Sequence, residues 1–268
     1  MQHYRAIWIS DVHLGTKGCK AAHLNAFLKE HTCEYLYLVG DIIDGWRMRQ
    51  GLFWPSLHNR IIRRFIRKAE KENTKVIYIP GNHDEFLREY IHEHKLEMGN
   101  IRIVNEAYHE TENGDLLWIV HGDAYDGVAQ YHRWLTFAGD AGYNFLIWIN
   151  IYLNRIRKLF GLPYWSLSNA VKNKVKRAVS YMFEFEHTIA REALRRKTDG
   201  VICGHIHQPA KKLIGKVQYY NCGDWVENCT ALVEDDLGLI QLLYWAEIGH
   251  EDSDNEVVPE LNFLGGSI

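Results

Sequence analysis

The chain has no apolar run long enough to cross a bilayer. Its longest, Phe145 to Leu153, is interrupted by Asn150 and falls short of the ~18–20 residues that a span needs. Cysteine is sparse and unpaired. Cys19, Cys33, Cys203, Cys222 and Cys229 are scattered, odd in number, and form no Cys-x-x-Cys. Free thiols in a reducing cytoplasm are therefore expected. No strong charge excess is present either: 31 Lys and Arg face 34 Asp and Glu, a net of −3, which argues against a general nucleic-acid binder. The first residues, Met1 to Arg5, offer no signal-peptide core, and we find no internal repeat and no low-complexity tract.

What is present is a chain of 268 residues, 47% apolar, ample for one core. Fifteen histidines and nine tryptophans are many for this length. Six runs of the first half read as strands: Ala6–Ile9, Tyr35–Val39 and Val76–Ile79, then the short runs Ile101–Val104, Ala107–Thr111 and Leu116–Val120. Between them, Leu57, Ile61, Ile62, Phe65, Ile66 and Ala69 recur at helical spacing among arginines and lysines, the mark of an amphipathic helix lying on a sheet. Gly200–Cys203, Val217–Tyr220, Thr230–Val233 and Leu239–Trp245 follow as strands, the last three read as antiparallel. We expect an α/β fold, two packed mixed sheets flanked by helices, as one domain over residues 1–246. A helical insert or lid occupies about 125–197, and a polar tail runs over 247–268.

The strands end in short polar loops. Asp11-Val12-His13, Gly40-Asp41, Gly81-Asn82-His83-Asp84, His121-Gly122-Asp123 and Gly204-His205-Ile206-His207 each follow an apolar run directly. In open α/β sheets the carboxyl edge of the strands is where ligands bind. Carboxylates, imidazoles and an amide oxygen without thiolates suit divalent ions of the Mn, Fe or Zn type. The donors are too many for one ion. Two ions sharing a carboxylate fit better, the arrangement that clamps both oxygens of a phosphoryl transfer.

These blocks, in this order from Asp11 to His207, resemble the calcineurin-like metallophosphoesterase superfamily. The resemblance implies one ion on Asp11, His13 and His207, a second on Asn82, His121 and His205, and Asp41 bridging them. It implies a bridging hydroxide as nucleophile. His83 would contact the phosphate and protonate or stabilise the leaving oxygen, and Asp84 would orient His83 from behind. For Asp84 and Asp123 loop capping is an equal expectation. Asp44 is expected to hydrogen-bond within its own turn, and His3, His23, His31, His92, His94, His109 and His250 to lie on the surface.

The second half, with Leu162-Pro163, Gly204-His205-Ile206-His207-Gln208-Pro209 and Gly223-Asp224-Trp225, resembles the UDP-2,3-diacylglucosamine diphosphatases of lipid A synthesis. These favour manganese and release UMP and a lipid phosphate at the inner face of the cytoplasmic membrane. Between Tyr125 and Ser180 eight Lys and Arg stand against two acids, among many aromatic residues. That composition suits a lid over acyl chains or a peripheral membrane contact. The best-known members of that branch carry arginine where this chain has His83. A soluble phosphoester substrate is the alternative reading. A non-catalytic scaffold, a third, would have lost ligands that this chain keeps.

Overall fold

The computed structural model describes residues 1–91, 96–98, 100–126 and 167–248, with main chain alone at 90, 96–98, 167–178 and 247–248. The first sheet is built around β1 (Gln2–Ile9), β2 (His31–Val39) and β3 (Lys75–Ile79), which run parallel. Helices α1 (Ala21–Glu30) and α3 (Ser56–Lys71) supply their crossovers, with the single turn α2 (Gly45–Met48) ahead of α3. After α4 (Phe86–Ile91) come the short strands β4 (Leu96–Met98) and β5 (Ile101–Ile103), which complete one edge. The second sheet begins with the antiparallel pair β6 (Ala107–Glu110) and β7 (Leu116–Ile119). The long helix α5 (Leu167–Arg195) then leads into β8 (Gly200–Cys203), parallel to β7.

The hairpin β9 (Ala210–Ile214) and β10 (Val217–Asn221) extends the second sheet, and β11 (Thr230–Glu234) and β12 (Ile240–Tyr244) return to the first. The orders are β12-β11-β1-β2-β3-β5-β4 and β6-β7-β8-β10-β9. The expectation that the last three strands are mutually antiparallel is corrected. β10 runs parallel to β8 in the second sheet, and only β11 and β12 pair with each other.

Strand alternation explains the layering. Leu36 and Leu38 face α1 and α3, while Tyr37 and Val39 face the second sheet. On β7, Leu117 and Ile119 face inward to meet them, and Trp118 turns outward onto Phe185 and Ile189 of α5. The result is helix, sheet, sheet, helix, with three apolar layers between them. β2 starts four residues earlier than its apolar run, because His31, Thr32 and Cys33 pair with Gln2, His3 and Tyr4.

Two histidines expected on the surface are buried. His31 packs against Tyr4, Phe27 and Trp245 and donates from Nδ1 to the Phe27 carbonyl at 2.8 Å. His109 bridges the sheets, with Nδ1 3.0 Å from the Tyr37 hydroxyl and Nε2 2.7 Å from Glu234. A polar side chain buried with its partners offers no apolar signal in one dimension. Most of the expected insert, residues 127–166, and the tail at 249–268 lie outside the described residues. Among the described residues no helix is long and apolar enough to cross a membrane.

Candidate metal centre

Because β1, β2 and β3 are parallel, and β7 is parallel to β8, their carboxyl ends meet at one edge. The polar loops converge there. The backbone is bent to make this possible: Asp11, His13, Asp41, His205 and His207 all have φ between 51° and 70°, the left-handed region that costs a non-glycine residue energy. Gly81 has no such φ but no room for a side chain. A Cβ there would overlap the Asp41 carboxylate and the His121 ring.

Asp41 is the centre of the cluster. Its Oδ2 lies 3.5 Å from His121 Nε2, 3.9 Å from His13 Nε2 and 3.9 Å from His83 Nε2. Its Oδ1 accepts from the His83 backbone N–H at 2.7 Å. Asp11 Oδ1 lies 3.1 Å from His207 Nε2, which is 3.4 Å from His13 Nε2. Three overlapping groups of donors follow: Asp11, His13 and His207; His13, Asp41 and His83; Asp11, Asp41 and His121.

The rings are aimed by their far nitrogens. His121 Nδ1 donates to the Val39 carbonyl at 2.9 Å, and His13 Nδ1 donates to Asp44 Oδ2 at 3.1 Å. Each leaves Nε2 facing the cluster, the arrangement typical of metal-ligating imidazoles. Burial alone would lower the His121 pKa and raise those of the carboxyls. The pairings outweigh it. Asp41 and then Asp11 lift His121 to about 10, and His207 and then His121 hold Asp11 at about 2. Asp41 is held well below the usual carboxylate range by His121, His13 and His83.

Divalent ions fit this site. Asp11 Oδ1, Asn82 Oδ1 and His121 Nε2 are buried without a hydrogen-bond partner, an arrangement that is costly unless something satisfies them. Two ligands of one ion, each about 2.1 Å from it, lie roughly 3–3.5 Å apart, close to the His121–Asp41 and Asp11–His207 separations here. The carboxylate and imidazole donors, with an amide oxygen at hand, match the chemistry of such ions.

His205 stands apart from these groups. Its backbone N–H donates to Asp11 Oδ2 at 3.0 Å, and its ring packs edge-on against His121, but its Nε2 is 2.8 Å from Asp126 Oδ2. Asp126 escaped the sequence reading because it stands outside the His121-Gly122-Asp123 block.

Asp84 does not back His83. Its carboxylate points beneath the loops, accepting from Ile42 N–H at 2.8 Å, from Asp41 N–H at 3.3 Å, and from the Gly81 N–H and Tyr78 hydroxyl. Burial, then the neighbouring Asp41 charge, raises its pKa. The loop-capping expectation describes Asp84. The residue behind His83 is Asp44, whose Oδ1 lies 3.0 Å from His83 Nδ1, at ion-pair distance though off the line of a good hydrogen bond. Asp44 also accepts from Arg47 N–H at 2.9 Å. Its expected turn bond is present, but so are contacts to two site histidines. Asp123 is gripped by Arg88 at 2.7 and 2.8 Å, and the same guanidinium donates to the Pro80 carbonyl, tying the Asn82 loop to the His121 loop.

Three further residues brace or cover the site. His58, in the first turn of α3, accepts from Gly15 N–H at 3.1 Å, and burial lowers its pKa to about 4, which keeps it a neutral acceptor. It stands three residues before Ile61 on the apolar face of α3, the one signal that could have found it. Trp225 is fully buried against Phe27, and its backbone N–H donates to the Asp11 carbonyl at 3.0 Å, so it braces the first loop from inside. Trp46, 40% exposed, lies over His83 with ring centroids 4.3 Å apart. The cavity of about 450 Å³ lined by Met1, Tyr4, His31 and Trp245 opens beside the amino ends of β1 and β2, at the opposite edge.

No curated protein matches this chain. Solved structures to which it is similar include a phosphoesterase from E. coli (13% identity, 89% of this chain and 98% of that one, TM-score 0.42). An archaeal phosphodiesterase (13% identity, 89% and 98%, TM-score 0.39) and a hypothetical protein from Pyrococcus horikoshii OT3 (11%, 91% and 88%, TM-score 0.47) are similar to it as well. Among protein families, the calcineurin-like phosphoesterases match residues 4–209. That span holds all five strand-end loops and most of the chain: the protein belongs to the calcineurin-like phosphoesterase family of metal-dependent phosphoester hydrolases.

Proposed function

We propose that the protein hydrolyses the pyrophosphate of a nucleotide-linked lipid, UDP-2,3-diacylglucosamine or a close relative, to UMP and a lipid phosphate. The observation that carries the hydrolytic chemistry is Asp41, a buried carboxylate with three imidazole nitrogens within 4.0 Å. The likeness of the second half to the lipid A diphosphatases supports the finer substrate.

In this reading Asp11, His13 and His207 would hold one ion and Asn82 and His121 the other, with His205 joining the second by exchanging Asp126 for the ion, and Asp41 would be shared. Manganese is the proposed metal, with iron or zinc as alternatives of the same donor preference. Bound ions supply Lewis acidity and lower the pKa of water at the phosphorus. His83 meets the substrate phosphate beside them and delivers a proton to the leaving oxygen. Asp44 keeps its ring turned toward Asp41, and Trp46 covers its outer face. The enzyme would work in the cytoplasm, peripherally on the inner membrane.

Metal uptake should release protons. Asp41 holds His121 protonated up to about 10, and an imidazolium has no lone pair to give. Affinity therefore rises with pH, and calorimetric titration with Mn(II) in buffers of different ionisation enthalpy should show net proton release. Binding should be at least tenfold tighter at pH about 8 than at about 6. Equal affinity at both would remove His121 from the ligand set.

The substrate assay offers UDP-2,3-diacylglucosamine and a generic aryl phosphodiester side by side with Mn(II). Release of UMP from the lipid is the expected result. His83→Ala should lower kcat about a hundredfold with metal content near wild type. Cleavage of the aryl diester alone would discard the nucleotide-linked lipid and favour a soluble phosphoester, the second reading, which His83 in place of arginine supports.

A further inference from the structure

We propose that residues Gly45 to Ala69 form a docking surface for an anionic lipid bilayer and set the mouth of the metal centre beside it. This stretch contains seven Lys and Arg and no acid, in a chain whose net charge is −3. The apolar side of α3, with Ile61 and Phe65, is buried in the core. The opposite side presents Arg60, Arg63 and Arg67, at the i, i+3, i+7 spacing that stacks them in one exposed stripe.

The stripe ends at the exposed Glu70 and is otherwise little neutralised. Arg67 reaches Glu72 at 3.6 Å while remaining 67% exposed. Arg64 turns inward to Asn25, and Lys68 is buried on Glu72 and the His31 carbonyl. Among the described residues, Arg49, Arg60 and Arg63 form no ion pair. Between these cations stand exposed apolar groups: Leu52 at 75%, Trp46 at 40% and Ile66 at 39%. Cations at headgroup level beside a few inserted aliphatic and indole groups are the pattern of an interfacial segment. A nucleic acid would satisfy the arginines and leave Leu52 and Ile66 in water.

The surface is continuous with the site. Trp46 covers His83, and His58, at the start of α3, holds Gly15 in the loop that carries His13. α3 runs from that edge to the opposite one, where Lys68 meets the His31 carbonyl at the start of β2, so docking along it lays this flank on the bilayer and leaves the strand-end loops at the margin of the contact, where Trp46 and Leu52 stand. The inference is independent of the substrate proposed above, because binding is read without turnover.

The test is co-sedimentation of the full chain with vesicles of phosphatidylglycerol and phosphatidylethanolamine, with phosphatidylcholine vesicles and a short DNA duplex as comparisons. Sedimentation with the anionic vesicles alone is expected, lost at about 0.5 M salt. The triple variant Arg60→Glu, Arg63→Glu, Arg67→Glu should bind at least about tenfold more weakly. It should still hydrolyse an aryl phosphodiester, which shows that it folds. Leu52→Asp should weaken binding several-fold. Arg195→Glu with Lys216→Glu, at the end of α5 and in the turn between β9 and β10, should bind as wild type. Undiminished binding by the triple variant, equal loss in the Arg195/Lys216 variant, equal binding to phosphatidylcholine, or binding to DNA in place of vesicles would each overturn the proposal.

Discussion

Asp41→Asn is expected to reduce turnover by roughly a thousandfold or more and to empty the site of at least one ion, while the protein melts close to the wild-type temperature. Asparagine is the informative replacement. Asp41 has φ 54°, a conformation that asparagine tolerates and alanine resists, so Asp41→Ala would add backbone strain to the loss of charge. The amide keeps the volume and can still accept from the His83 backbone N–H, as Oδ1 does now. What it removes is the negative charge facing His121, His13 and His83. Without it a cation at this position meets the imidazoles with Asp11 as the one remaining carboxylate of its donor group. Metal content by mass spectrometry, kcat on an aryl phosphodiester and the melting temperature should be measured on one preparation. Two bound ions with wild-type kcat would sink the shared-carboxylate centre. An empty site with a melting temperature lowered by tens of degrees would make Asp41 a folding residue instead.

The convergence behind that prediction was largely legible in one dimension. An apolar run that stops at Asp11-Val12-His13 or Gly40-Asp41 fixes where a strand ends. The crossover helices make the strands parallel, so all such ends share an edge. The hairpin strand β9 was not legible: Ala210-Lys211-Lys212-Leu213-Ile214 has no alternation and is exposed at its three central residues. It is an edge strand, and lysines on an edge guard against further pairing rather than pack a core. The order of the last strands was misread for a related reason. Val217–Tyr220 and Thr230–Val233 carry the same apolar signal, and nothing local records that one pairs with β8 and the other with β1. At the site, residue types were readable but their partners were not. His205 bonds to Asp126, and Arg88 bonds to Asp123, a residue 35 positions away. Such pairs exist only once the loops have met.

Asp84 and Asp44 separate adjacency in sequence from adjacency in space, and their variants should differ in kind. Asp84→Ala should destabilise the fold by about 3–5 kcal/mol, lowering the melting temperature by roughly 10–15 °C. The magnitude follows from what the carboxylate holds. The Tyr78 hydroxyl and the N–H groups of Gly81, Asp41 and Ile42 all converge on it. The side chain is fully buried, so its loss strands donors that water cannot easily reach, and each costs about 1–3 kcal/mol. Metal binding should weaken as a consequence, because three of these donors, the N–H groups of Asp41, Ile42 and Gly81, belong to the loops of Asp41 and Asn82. Asp44→Asn should act on chemistry first. It keeps the shape and can still accept from Arg47 N–H, but it removes the charge that faces His13 Nδ1 and His83 Nδ1. A fall in kcat of about 10–100-fold, a shifted pH profile and a near-normal melting temperature are expected. If Asp84→Ala instead lost kcat with its melting temperature unchanged, Asp84 would be the residue orienting His83, and the contacts assigned here to Asp44 would be incidental to the reaction.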